Sequence, residues 1–151
     1  MPNLLFFAPC EKVIVDQNNT ASIISILEEL KVQIVAGISI PPDSVIPMQW
    51  AILTLWEQAS TWDMGRSFEQ RMSLLTESGK LLVESVNEFK LEKPRHRVIA
   101  QIVGMPISDP GIRKIRISIR EKADSPKEWK EVSIYSFTIE LIQPPPANAI
   151  H

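Results

Sequence analysis

Strict two-residue alternation of apolar and polar side chains recurs along the second half of this chain, and it rules out most architectures at once. Ile115, Ile117 and Ile119 alternate with Lys114, Arg116, Ser118 and Arg120. Tyr135, Phe137, Ile139 and Leu141 alternate with Ser136, Thr138 and Glu140. Between Arg66 and Leu74, Phe68, Met72 and Leu74 oppose Ser67, Glu69, Arg71 and Ser73. Successive side chains of a strand point to opposite faces, so each stretch reads as a strand with one buried and one wet face. That is the habit of antiparallel sheets. The 12 prolines among 151 residues leave little room for long helices.

Turn chemistry separates the strands. Asp16-Gln17-Asn18-Asn19, Glu77-Ser78-Gly79-Lys80, Ser108-Asp109-Pro110-Gly111 and Ala123-Asp124-Ser125-Pro126 supply residues that favour tight turns. About eight strands follow, over 4–15, 21–35, 47–58, 65–75, 80–91, 96–105, 112–121 and 129–142. So many half-buried strands in one domain predict an all-β fold, a two-sheet antiparallel β-sandwich of the immunoglobulin-like or C2-like kind. Residues 1–143 form the single domain and 144–151, beginning Pro-Pro-Pro, an extended tail.

Three places strain this pattern. Ile23, Ile24, Leu27 and Leu30 also fit a helical face, with Thr20 as a cap, but the Ile/Val content of 21–35 and the preceding turn favour a strand. Val132 and Ile134 have the opposite parity to Tyr135–Leu141, which predicts a bulge or burial on both faces. Pro9 cannot donate to a ladder and predicts an edge position or a bulge. A short helix is expected, if anywhere, within 58–64.

The segment Pro9-Cys10-Glu11-Lys12-Val13-Ile14-Val15-Asp16, a polar turn, and then Ala21-Ser22-Ile23-Ile24-Ser25-Ile26-Leu27-Glu28-Glu29-Leu30 resembles the opening of a group of uncharacterised small bacterial β-sandwich proteins. The resemblance covers about a fifth of the chain. It implies a sandwich and a strand at 21–35, and it carries over no functional residue.

Composition narrows the function classes. The net charge of −2 gives no general attraction to nucleic acid. A lone cysteine, Cys10, cannot form an internal disulfide, and no apolar run is long enough to span a membrane. The apolar start lacks a basic leader and stops at Pro9, so a cytoplasmic location is expected, and the sequon Asn18-Asn19-Thr20 reads as a turn.

The chemistry-bearing residues are sparse. Cys10 with His96 would make a thiol and its base, but their spacing does not favour that pairing over a buried Cys and a surface His. His151 is the other histidine, so no zinc site is expected. Asp16, Asp43, Asp63, Asp109 and Asp124 fall in loops, where calcium could collect them, although aspartate favours turns on its own account. Lys90, Lys93, Arg95 and Arg97 surround one turn, and Arg113, Lys114, Arg116, Arg120 and Lys122 line the next strand. Glu92, Glu121 and Glu128 lie among them, which favours a salt-bridged face over a phosphate-binding stripe.

One strand is apolar on both faces. Met48, Trp50, Ile52 and Trp56 share one parity, and Ala51, Leu53 and Leu55 the other. Either the second face is covered by a loop or by the 21–35 segment, or one face packs on another subunit, as aromatic and Met side chains often do. The reading that follows is a non-enzymatic protein-interaction or structural module that self-associates, with no cofactor, no nucleic acid and no membrane, and Trp50, Ile52, Trp56 and Met48 as the interaction residues. A module binding calcium or an anion is the alternative, and a cysteine-dependent enzyme the least favoured.

Overall fold

The computed structural model describes residues 1–143. The Pro-rich tail 144–151, with its expected extended course and His151, lies outside the described residues. The strands are β1 (Asn3–Val15), β2 (Ala21–Ile26), β3 (Glu29–Gln33), β4 (Val45–Glu57), β5 (Ser67–Thr76), β6 (Leu81–Lys90), β7 (Arg95–Pro106), β8 (Gly111–Glu121) and β9 (Lys130–Ile142). A single 3-10 turn, Thr61–Asp63, falls where a short helix is expected. One sheet has the order β2-β1-β4-β7 and the other β3-β9-β8-β5-β6. The chain is thus the expected two-sheet sandwich, with nine strands among the described residues, of which only the β3–β9 pair is parallel.

The inward parity of each strand builds the core. Trp50, Ile52 and Trp56 of β4 meet Phe68, Met72 and Leu74 of β5, Ile115, Ile117 and Ile119 of β8, and Phe137 and Ile139 of β9. Each such side chain contributes about 1.5–3 kcal/mol by leaving water. Gln70, though polar, shares the inward row of β5 and is fully buried. Its Oε1 accepts hydrogen bonds from Thr54 Oγ1 at 2.5 Å and Trp56 Nε1 at 2.8 Å, tying β5 of one sheet to β4 of the other.

The 21–35 segment is extended, as expected, but it is two strands in two sheets. Ser25 takes a left-handed φ of 55°, and the chain crosses over at Leu27–Glu28. The crossing is anchored three times. Leu27 N–H donates to Pro9 O, Thr138 N–H donates to Glu28 O, and the Tyr135 hydroxyl donates to Leu27 O at 2.7 Å. Leu27 itself enters the core, so the switch buries an apolar side chain while the Leu27 N–H and the Leu27 and Glu28 carbonyls stay paired.

The β1–β2 hairpin is an arm folded over the outer face of its own sheet. The β1–β4 ladder stops at Cys10 opposite Ala51, and beyond it β1 pairs only with β2. The tip is held on the first turns of β7, where Arg97 donates to Asn19 O at 3.2 Å and to Asn19 Oδ1 at 2.7 Å. Asp16 Oδ1 closes the tip by accepting from the N–H groups of Asn18 and Thr20, and Asn19 sits at φ 61°. The sequon is therefore a turn. Under the arm, Ala8, Cys10, Ala51 and Leu53 are buried on the outer face. This explains the doubly apolar β4: one face is core and the other is covered by the hairpin that contains the first part of 21–35.

Among the described residues, four irregularities adjust the register. Ile117 lies opposite Ser133 and Ser118 opposite Glu131, so Val132 is the extra residue. Val132 then packs on the core while Ile134 stays half exposed, which accounts for the parity switch in β9. A second bulge puts Pro47 and Met48 across from Gly104. Gly104 has φ +93°, accepts Trp50 Nε1–H at 3.0 Å, and would bring an added Cβ within 2.7 Å of Val45 Cγ1. Gly104→Ala is expected to cost about 1–3 kcal/mol, mostly from the left-handed backbone because exposed Val45 can move aside. Urea unfolding followed by tryptophan emission checks this, and a midpoint equal to wild type would remove the strain argument.

Candidate functional site

Strand pairing leaves one flank of the sandwich half open. β2 covers β1 only from Cys10 onward, and β3 covers β9 only from Thr138 onward. Among the described residues, Asn3–Ala8 of β1 and Lys130–Phe137 of β9 have no neighbouring strand on this side. The β2–β3 crossing closes the other half of the same flank. Pro9 marks the boundary: its C=O takes Leu27 N–H, and its nitrogen, with no proton to give, faces the open edge. Its expected edge position is thus met on this side, and the bulge in β1 falls nearby, at Leu5.

The open flank is a groove of about 270 Å³ lined by Leu4, Leu5, Phe6, Phe7 and Val132–Tyr135. Phe7 and Tyr135 meet edge to face across its floor, with centroids 6.1 Å apart. Leu5, Phe6 and Ile134 stand at its rim, 45%, 43% and 50% exposed. A sheet edge carries unpaired N–H and C=O groups, so the groove combines backbone hydrogen-bonding capacity with apolar side chains. An extended segment seated there would extend the sheet of β1 and cover the rim.

The residues singled out in the sequence are placed elsewhere. Trp50, Ile52 and Trp56 are buried between the sheets and Met48 is half buried against them, so these four serve the core. Parity alone could not tell the core-facing row of β4 from the row under the arm. Cys10 pairs with Ala51 on the outer face of its sheet, whereas His96 pairs with Trp56 on the inner face, so the fold does not bring thiol and imidazole together. Burial raises the Cys10 thiol pKa, outweighing a backbone hydrogen bond from Lys12, and so disfavours the thiolate. The His96 ring stacks on Phe89 at 5.2 Å, and burial lowers its pKa.

Two of the five loop aspartates, Asp16 and Asp63, are spent on backbone. Asp16 closes the arm tip. Asp63 is buried, and its Oδ2 accepts from the N–H groups of Ala59 and Ser60. Burial pushes the Asp63 carboxyl up, but those amides and the N-terminal ammonium 3.0 Å away hold it below the usual range. Among the described residues no three His, Cys, Asp or Glu side chains gather in a metal-binding arrangement.

Three members of the second basic group form ion pairs. On the outer face of β5-β8-β9, Arg116 meets Glu131, Arg120 meets Glu69 at 2.6 Å, and Lys122 meets Glu88. The guanidinium groups of Arg71 and Arg120 both lie over the Trp129 ring, 4.6 and 4.2 Å from its centroid. This is the salt-bridged face expected from the mixed charges. Arg113 is a correction: it has the inward parity of Ile115 and Ile117 and is fully buried, so it belongs to no surface stripe.

The fold and flank define a β-sandwich with an incomplete edge. Compared with known proteins, the chain matches no family model, no curated protein and no solved structure.

Proposed function

We propose that this domain is a non-enzymatic interaction module that self-associates, with the open β1 edges of two copies pairing antiparallel about a two-fold axis. The observation that carries this reading is the chemistry of the edges. Exposed strand edges are normally blunted by charge, and β3, β6, β7 and the open half of β9 all carry charged residues. Asn3–Ala8 carries none over its whole length, and its rim is apolar. β2 is also uncharged, but the left-handed Ser25 interrupts it. A two-fold pairing sets identical residues close together, so it requires an edge without like charges. It would join β1-β4-β7 of two copies into one continuous sheet and shield Leu5 and Phe6.

The test is sedimentation equilibrium on wild type, Phe6→Lys and Val103→Lys. Phe6 is exposed enough for lysine to leave the fold intact, and Val103 is 76% exposed on the opposite edge strand. Wild type is expected to dimerise, Phe6→Lys to weaken the dimer by about tenfold or more from two facing charges and lost apolar burial, and Val103→Lys to behave as wild type. A wild-type monomer at the highest attainable concentration, or a Phe6→Lys dimer of unchanged strength, would refute it.

A further inference from the structure

At the corner where the chain leaves β6 for β7, four cations gather around one cleft. Its volume is about 440 Å³, and Lys90, Lys93, Arg95, Arg97 and His96 line it together with Asn19, Leu55 and Glu92. Glu92 is the one carboxylate in that lining, in a chain whose net charge is −2. Positive charge is therefore concentrated here against an acidic background, which focuses the field on the cleft.

The cationic groups are also positioned. Asn19, at the tip of the arm, fixes both terminal nitrogens of Arg97 through its O and Oδ1. Glu57 Oε1 holds Arg95 Nε at 3.2 Å, and among the described residues the two terminal nitrogens of that guanidinium have no hydrogen-bond partner. Lys90 lies 3.7 Å from Glu92, a long and exposed contact, and Lys93 makes no ion pair among the described residues. The His96 ring, braced on Phe89, forms the inner wall. On the outer face of β5-β8-β9, Arg116, Arg120 and Lys122 each have a carboxylate partner, whereas in the cleft Lys93 and Arg97 have none among the described residues.

We propose that this corner cleft is a binding site for a compact multivalent phosphate, such as a di- or triphosphate group. Planar guanidinium groups with free N–H donors match phosphate oxygens, and ammonium groups add charge without demanding one geometry. This site is separate from the β1 edge, so either reading stands or falls alone.

The test is a titration of the full chain with inorganic pyrophosphate and triphosphate at low salt, read by calorimetry and by the ring proton signals of His96. Parallel co-sedimentation uses phosphatidylcholine vesicles with and without a phosphoinositide. Binding of either free polyphosphate that shifts His96 and weakens with added salt supports the site. So does binding only to the phosphoinositide vesicles, which would make a lipid headgroup the source of the phosphate. Lys93→Glu and Arg95→Glu are each expected to weaken binding about tenfold, the loss of one charge-assisted contact, while Lys114→Glu on the other face leaves it unchanged. No heat and no His96 shift with any of these probes would overturn the proposal. So would binding to a DNA duplex alone, or affinity undiminished in both Lys93→Glu and Arg95→Glu.

Discussion

Replacing Arg113 with alanine is expected to lower the stability of the domain by about 3–5 kcal/mol, from buried carbonyls left without donors and the cavity left by a large side chain. Arg113 is fully buried at the end of the core, beneath the loop that joins β7 to β8. Its guanidinium donates to Pro106 O at 3.3 Å, Ser108 O at 2.5 Å and Asp109 O at 2.7 Å. No carboxylate lies within ion-pair distance of it among the described residues, so three carbonyl oxygens take its terminal N–H groups while Nε stays buried without a partner. Burial lowers its pKa, with the Asp109 charge opposing that shift. Alanine would leave those carbonyls facing a cavity. Arg113→Met separates the two losses, because it restores volume without donors and should recover only part of the stability. Chemical denaturation of the three proteins measures this, and an alanine variant within about 1 kcal/mol of wild type would show that water replaces the guanidinium at no cost.

Gln70 carries the second large effect. Gln70→Leu keeps the volume but leaves Trp56 Nε1–H without an acceptor, and Thr54 with only a long 3.5 Å contact to Val98 O. A buried donor without a partner costs about 1–3 kcal/mol, so a loss of about 2–4 kcal/mol is expected. The diagnostic is the combination. Removing the orphaned donors with Thr54→Val and Trp56→Phe in the Gln70→Leu background should cost far less than the single changes summed. Strict additivity in urea denaturation would mean that the three side chains do not act as a unit.

These two residues also mark where local pattern stops being informative. Gln70 and Arg113 are polar, and alternation assigns polar residues to the wet face. Both lie in the inward row, Gln70 beside Phe68 and Met72, Arg113 beside Ile115. Position parity alone would have placed them inside, but residue type argued the other way, and only partners distant in sequence could decide. For Gln70 those partners are Thr54 and Trp56 in the opposite sheet. For Arg113 they are backbone carbonyls of a turn, which leave no trace in side-chain pattern.

The candidate edge was legible only in part. Pro9 pointed to an edge, and the uncharged run from Asn3 to Ala8 can be read directly. That β2 abandons β1 at Cys10, and that β3 reaches β9 only at Thr138, depends on where the 21–35 segment changes sheets. Ser25 and Leu27 make that change, and neither is a glycine or proline that would announce it. Likewise, Trp50, Ile52 and Trp56 drew attention as contact residues because β4 is apolar on both faces. The arm that covers the second face is held by Arg97 on Asn19, a contact 78 residues apart in sequence.

By itself, then, the sequence determined most of the strands, their turns, the parity break in β9 and the need for two packed layers, because alternation and turn chemistry act over a few residues. Tertiary structure alone decided which row of β4 became core, which polar residues were buried, and which stretch of edge was left without a partner. Those outcomes depend on pairing between segments far apart in the chain, where either face of an apolar strand satisfies the local pattern equally well.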